Sequence, residues 1–186
     1  MKISGLVLAG GQGRRMGGVD KGLQLLHGKP MVSWVIARFS PQVDEIIVNA
    51  NQNVQKYEAF GHRVVRDQIG GFAGPLAGLH AGLTAATHPL VATVPCDSPF
   101  LPADLVVRLK AALGDKDLAV AKTGEQPHPV FVLVKREVLK NLASFLEQGG
   151  RKIDAWYASL DRVEVSFDDE PEAFRNINTV DELNKA

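Results

Sequence analysis

The sequence predicts an α/β fold in which helices cover both faces of a mostly parallel β-sheet. Short runs of strand-favouring residues alternate with longer segments of helical periodicity, and this alternation is typical of such folds. Several of the runs, residues 91–94 for example, are apolar at nearly every position, as expected for strands buried on both faces. No repeat or linker interrupts the 186 residues. The expected architecture is a three-layer α/β/α sandwich around a Rossmann-like sheet, in a single domain spanning residues 1–186.

Seven segments are predicted as strands and four as helices. The strands are expected at residues 3–8, 45–50, 62–66, 90–94, 118–121, 130–134 and 162–167. The helices are expected at residues 30–39, 74–87 and 102–113 and after Thr179. The second and the third each place three leucines on one stripe. Pro30 suits a first helical turn, and residues 179–182 fit a capping box.

Composition and charge exclude several classes of protein. Apolar residues make up 45% of the chain, which suffices for a core without disulfides or a structural metal. The formal net charge is zero, which disfavours nucleic acid or an anionic membrane as a partner. Cys96 is the only cysteine, so an intrachain disulfide and a cysteine-rich zinc site are impossible. With no apolar run of membrane-spanning length and no secretory leader pattern at residues 1–8, we expect a cytoplasmic protein.

A glycine-rich segment directly follows the first predicted strand. Residues 10–18 contain five glycines, whose N–H groups are sterically free to form a concave anion site. Arg14, Arg15 and Lys21 add positive charge. Since ligands of open α/β sheets bind at the carboxyl ends of the strands, the segment predicts a polyphosphate site. An ordinary glycine-rich turn with solvated arginines is the alternative.

Two common phosphate-binding motifs do not fit. In a dinucleotide-binding G-x-G-x-x-G motif starting at Gly11, Met16 would occupy the position of the third glycine. The Gly28-Lys29 pair fails as a Walker A motif, because Pro30 follows the lysine and Leu23 stands at the position of the first glycine.

Polar residues also follow the other central strands. Asp97 lies between Pro95 and Pro99, where a stiff strand exit suits a carboxylate ligand of Mg²⁺, although Asp97 would also suit a helix N-cap. Asn49 and Asp67 end two further strands and are alternatively plain turn residues.

Two other features have competing explanations. The glycines of segment 74–78 would allow either a ligand to approach the helix N-terminus or the helix to pack closely. Cys96 has no visible activating partner and is expected to be a small buried residue.

The glycine-rich segment also resembles a known signature. Residues 8–11, residues 15–17 and Lys21 are similar to the L-A-G-G, R-M-G and K elements of the NTP-transferase nucleotidyltransferases. Sugar-phosphate and cytidylyl transferases share this signature. Further segments narrow the resemblance to the molybdenum cofactor guanylyltransferases, the MobA family: 20–22, 28–30, 48–51, 95–99 and 176–179. The similarity extends from Ser4 to Leu183.

This resemblance implies transfer of GMP from GTP to the phosphate of molybdopterin, with release of pyrophosphate. Arg15, Lys21 and Asp97 would be catalytic, and Asp97 would bind Mg²⁺ as the cofactor. The residues expected to bind the nucleotide are Leu8, Ala9, Gly10, Gly11, Gly13, Lys21, Asn49, Asp67 and Asp97. The implied partners are GTP and molybdopterin, together with other proteins of cofactor biosynthesis or molybdoenzyme maturation; neither nucleic acid nor a membrane is expected.

The acceptor is expected to bind near the C-terminus. Asn176 and Asn178 flank Ile177, so an extended backbone turns both amides to one face. Amide groups suit the mixed donor and acceptor edge of a pterin, and the resemblance also associates these asparagines with it. Arg151 and Lys152 would bind the phosphate of the acceptor. Alternatively, the asparagines only close the turn before the last helix.

Other functions remain open at this point. The nearest is a cytidylyltransferase acting on the same pterin, or a sugar-1-phosphate nucleotidyltransferase. A non-catalytic GTP-binding sensor is a different class, and the missing Walker A motif weakens it.

Overall fold

The structure, a computed structural model, describes residues 1–11, 19–70, 74–177 and 180–185. Its strands are β1 (Ile3–Leu8), β2 (Leu25–Leu26), β3 (Lys29–Pro30), β4 (Glu45–Asn49), β5 (Arg63–Val65), β6 (Leu90–Pro95), β7 (Leu118–Thr123), β8 (Gln126–Lys135) and β9 (Arg162–Ser166). Its helices are α1 (Met31–Phe39), α2 (Val54–Glu58), α3 (Pro75–Ala85), α4 (Leu105–Leu113), α5 (Leu139–Glu147), α6 (Ile153–Tyr157) and α7 (Val180–Lys185).

Seven strands form one mixed sheet in the order β5-β4-β1-β6-β8-β7-β9, and β2 and β3 form a separate antiparallel pair. β1 lies between β4 and β6 and is parallel to both. The β4–β5 and β7–β9 pairs are also parallel, whereas β8 runs antiparallel to β6 and β7. The prediction of a mostly parallel Rossmann-like sheet is confirmed.

A tight turn explains the reversed strand. Thr123 pairs with Gln126 across Gly124, whose φ of +53° suits a two-residue hairpin turn. The hairpin brings the start of β8 to the edge at which the parallel strands end. It also extends both strands beyond the predicted 118–121 and 130–134.

Helices cover both faces of the sheet. Side chains alternate along β1, so that Val7 packs with α1, α2 and α4 on one face while Leu6 packs with α3, α5 and α6 on the other. The predicted three-layer sandwich is therefore confirmed. Among the described residues, no helix combines the length and the hydrophobicity needed to cross a bilayer.

The predicted helices are present with shifted ends, and three further helices were not predicted. Pro30 pairs in β3 and precedes the first residue of α1 instead of lying within its first turn. α4 begins at Leu105, three residues later than expected. The unpredicted helices are α2, α5 and α6. α7 confirms the last helix, but the predicted cap at Thr179 lies outside the described residues.

α3 lies close to the sheet because two glycines face it. A Cβ atom at Gly82 would lie 2.2 Å from a methyl carbon of Leu6 in β1. A Cβ atom at Gly78 would lie 2.3 Å from the side-chain oxygen of Asn49 in β4. Close helix packing therefore explains Gly78, one of the two readings that the sequence allowed.

We expect Gly82→Ala to lower the free energy of unfolding by about 1–3 kcal/mol, because the added methyl group overlaps a buried leucine. The expected loss is a net value, because the steric overlap outweighs the gain of roughly 1 kcal/mol in helix propensity that alanine has over glycine. Urea denaturation measures the change. Thr84→Ala, at an exposed position of the same helix, is the control and should alter stability by less than about 0.5 kcal/mol. Equal stability of Gly82→Ala and the parent would contradict the close approach.

Candidate active site

Three parallel strands end side by side at the carboxyl edge of the sheet. Leu8 of β1 pairs with Asn49 of β4 and with Pro95 of β6. The pairing continues past the strand ends, since the Ala9 amide donates to the Asn49 carbonyl (2.8 Å) and the Cys96 amide donates to the Leu8 carbonyl (3.1 Å). The start of the glycine-rich segment therefore lies next to the residues that follow β4 and β6.

Two asparagine amides hold Asp67 at this edge. Asn49, only 2% exposed, donates to one carboxylate oxygen of Asp67 (2.8 Å), and Asn51 donates to the other (3.0 Å). The side-chain oxygen of Asn51 accepts from the Asp67 backbone amide (2.8 Å), and its amide also donates to the Gly10 carbonyl (3.4 Å). These hydrogen bonds connect the segments that follow β1, β4 and β5. Asn49 and Asp67 are thus partners, not independent turn residues.

Asp97 faces Lys21, although 76 positions separate them in the sequence. The Lys21 ammonium donates to Oδ2 of Asp97 at 3.3 Å. Burial raises the pKa of Asp97, while the charge and hydrogen bond of Lys21 oppose that rise; Glu182 on α7 adds a smaller raising effect. Since α4 begins only after Asp104, Asp97 does not cap it. The result is a largely buried carboxylate next to a cation, beside the described start of the glycine-rich segment.

Cys96 is a buried structural residue. It is 7% exposed, and burial raises the pKa of its thiol well above the ordinary value. The thiol is therefore protonated at neutral pH and is a poor nucleophile. The expectation of a small buried residue is confirmed.

The C-terminal asparagine segment passes directly beside Asp97. The Ile177 amide donates to the Asp97 carbonyl (2.8 Å), and Ile177 itself is buried against Leu26 and Met31. The Ser98 hydroxyl donates to the side-chain oxygen of Asn176. The chain thus brings Asn176 to the same edge as the carboxylate. Asn178 lies outside the described residues.

The profile of the MobA-like NTP transferase domain matches residues 5–163. The chain belongs to this family. A molybdenum cofactor guanylyltransferase of Ralstonia nicotianae is 49% identical, over 97% of this chain and 94% of that protein. One of Cupriavidus necator is 51% identical over the same shares. Molybdopterin-guanine dinucleotide biosynthesis protein A of Archaeoglobus fulgidus has a similar crystal structure, with a TM-score of 0.79, 26% identity and coverage of 98% of this chain and 95% of that one.

In this MobA-like chain, the predicted acceptor cations lie at the end of α5. The Arg151 guanidinium donates to the Leu146 carbonyl (2.9 Å) and the Gly150 carbonyl (2.7 Å), so it caps the helix. Lys152 is exposed and immediately precedes α6. Within the described ranges, no hydrogen bond or ion pair joins either residue to Asn176, and a role in binding the acceptor stays a prediction.

The structure describes the first residues of the glycine-rich segment in this MobA-like domain. Gly13, Arg14 and Arg15 lie outside the described residues, whereas Leu8, Ala9, Gly10 and Gly11 are at the strand edge as expected.

Asn51 belongs to the group of contacts around Asp67 but is not among the residues predicted for the site. It appeared only within segment 48–51, but asparagines at positions 49 and 51 flank one residue, as in the pair at 176 and 178. The position of Asn49 and Asn51 directly after the apolar run of β4 is the signal in the sequence that marks Asn51.

Proposed function

We propose that this chain transfers GMP from GTP to the phosphate of molybdopterin, releasing pyrophosphate and forming the guanine dinucleotide cofactor. The observation that carries the proposal is the Lys21–Asp97 pair at the carboxyl edge, beside the start of the glycine-rich segment. Relatives that match nearly the whole chain at about half identity bear the name molybdenum cofactor guanylyltransferase, which favours GTP and the pterin as substrates.

The proposed reaction needs no side-chain nucleophile. An oxygen of the acceptor phosphate forms a bond to the α-phosphorus of GTP, and the bond from that phosphorus to the bridging oxygen breaks. Pyrophosphate leaves with the bridging oxygen. The protein positions the reactants and neutralises charge: N–H groups of residues 10–13 hold the β- and γ-phosphates, while Arg15 and Lys21 offset the charge that develops on pyrophosphate.

Asp97 fits the role of a Mg²⁺ ligand. Magnesium in nucleotide enzymes is bound through one or two carboxylates together with substrate phosphates. Within the described ranges there is no group of three or more acidic, histidine or cysteine side chains able to hold a metal, so a site completed by the phosphates suits these residues better than a cage of protein ligands. Bound Mg²⁺ would neutralise phosphate charge.

Two assays test this function. Thermal-shift titrations with GTP, CTP, ATP and UTP, each with Mg²⁺, report the nucleotide, since ligand at a hundred times its Kd stabilises by about 2.7 kcal/mol. We expect a shift with GTP alone, and a CTP shift would indicate a cytidylyltransferase. Pyrophosphate release from GTP, with and without molybdopterin, then distinguishes an enzyme from a sensor. Binding of GTP without acceptor-dependent release would contradict the proposal.

The proposed function assigns Asn176 to the acceptor. We expect Asn176→Ala to weaken molybdopterin binding by about threefold to tenfold, the loss of roughly one hydrogen bond, while GTP affinity stays near that of the parent. Asn178→Ala should behave in the same way. Separate binding titrations with molybdopterin and with GTP measure both effects.

Ser98→Ala is the matched control for Asn176→Ala. It removes the hydroxyl that donates to Asn176 but leaves the amide in place. Pterin affinity should therefore fall less in this variant. If Ser98→Ala reproduced the full loss, or if GTP affinity fell equally, Asn176 would be a structural residue.

A further inference from the structure

The backbone on the N-terminal side of Lys21 is anchored by residues outside the site. The Tyr57 hydroxyl, on α2, donates to Oδ1 of Asp20, and Asn53 donates to Oδ2 of the same carboxylate at 3.1 Å. Tyr57 is fully buried, and burial raises the pKa of its hydroxyl, which keeps the donated proton in place at neutral pH. Both oxygens of Asp20 are therefore held from the region of α2.

On the C-terminal side, Gly22 is packed against the same tyrosine. A Cβ atom at Gly22 would lie 2.6 Å from the Tyr57 hydroxyl oxygen and 3.3 Å from Cβ of Cys96. A larger residue cannot fit without displacing one of them. Tyr57 thus holds the chain on both sides of Lys21, by a hydrogen bond before it and by contact after it.

The contacts of Tyr57 with Asp20 and Gly22, here called the clamp, restrict where the Lys21 ammonium can lie. A lysine side chain has several rotatable bonds, so a cation placed on a mobile loop reaches a given point only part of the time. With the backbone fixed at Asp20 and Gly22, the ammonium needs only its own side-chain torsions to reach Asp97, where it lies 3.3 Å from Oδ2. A preorganised charge stabilises a transition state better than one that must be ordered during the reaction.

We propose that Tyr57 and Asp20 are positioning residues for Lys21. They hold the backbone so that the ammonium faces Asp97 and the phosphates of the nucleotide, and they act on the reaction only through Lys21. This inference rests on the proposed nucleotidyl transfer.

A double-mutant cycle between Tyr57→Phe and Lys21→Ala tests the inference. We expect Tyr57→Phe to lower kcat by about tenfold and to weaken GTP binding severalfold, because misplacement of about 1 Å can cost up to about a hundredfold. In the Lys21→Ala background, the same change should lower neither quantity further. Equal effects in both backgrounds would overturn the proposal, and so would an unchanged Tyr57→Phe enzyme.

Tyr157→Phe is the matched control. Tyr157 is the second of the two tyrosines and is also buried, and its hydroxyl donates to the Pro129 carbonyl at 2.6 Å. Loss of this bond should affect stability without any coupling to Lys21. Coupling of the same size in Tyr157→Phe would indicate general destabilisation and would refute a specific role for Tyr57.

A variant at Gly22 examines the contact itself. Gly22→Ala should lose GTP affinity in the parent, and adding Tyr57→Phe to it should cost less than Tyr57→Phe costs alone, since the nearest remaining contact is then the one at 3.3 Å. Simple additivity of the two losses would contradict the contact between Tyr57 and position 22. If the parent released no pyrophosphate in the presence of molybdopterin, the proposed function would fail, while the cycle on GTP affinity would still decide the role of Tyr57.

Discussion

Asp97→Asn should lower kcat for pyrophosphate release by about a hundredfold or more while the fold is retained. The amide has nearly the same shape, but it is a weaker ligand for Mg²⁺ and carries no charge to pair with the Lys21 ammonium at 3.3 Å. Losses of this size follow the removal of one electrostatic stabiliser from an active site. The measurement is turnover at saturating GTP and molybdopterin over a range of Mg²⁺ concentrations, with circular dichroism as the check on folding.

Asp115→Asn is the control for Asp97→Asn. Asp115 is exposed on the connection between α4 and β7, so its amide should leave turnover unchanged. Near-parental turnover of Asp97→Asn at low Mg²⁺ would refute the metal-binding role.

Lys21→Ala should reduce turnover on the order of a hundredfold, with a smaller effect on thermal stability. The side chain is 23% exposed and lies outside the main core, so its truncation leaves no large cavity. It does remove the counter-ion of a buried carboxylate, and we therefore expect Lys21→Ala and Asp97→Asn to be less than additive in the double variant. Arg15→Ala should also reduce turnover. Steady-state kinetics of the variants, corrected for the folded fraction, measure the loss.

Arg108→Ala should show the opposite pattern to Lys21→Ala, with a loss of stability and no loss of turnover. Its guanidinium pairs with Asp169 at 2.9 Å, donates to the Ser166 carbonyl and lies 3.9 Å from the centre of the Phe167 ring. Its removal should lower the melting temperature and leave the activity per folded molecule intact. If Lys21→Ala and Arg15→Ala melted early and kept their activity in the same way, the glycine-rich segment would be structural.

The central strands of the sheet could be predicted because they are apolar at nearly every position. Every predicted strand is present, and β1 has the predicted ends at Ile3 and Leu8. β7 and β8 are longer than predicted, since the hairpin extends them with polar residues and prolines that no hydrophobic pattern marks.

The missed helices have different explanations. α2 and α6 have five residues each, too few for a clear helical period. α5 places Leu139, Leu142 and Leu146 at helical spacing, a pattern in the sequence that does indicate a helix.

For the site, the sequence determined which chemical groups follow each strand. A glycine-rich segment with cations, an asparagine and two aspartates at strand ends predict an anionic ligand at the carboxyl edge, because parallel strands place their ends together. The structure brings the described members of that set to this edge.

Only the tertiary structure decided which of these groups are partners. Lys21 and Asp97 are 76 positions apart, and Ser98 and Asn176 are 78 apart, yet each pair is in contact. Strand order and register set such distances, and a hydrophobic pattern specifies neither which strands are neighbours nor how they are aligned. The same holds for the Tyr57 contact with Asp20, since a buried tyrosine in a short helix looks in the sequence like any other core residue.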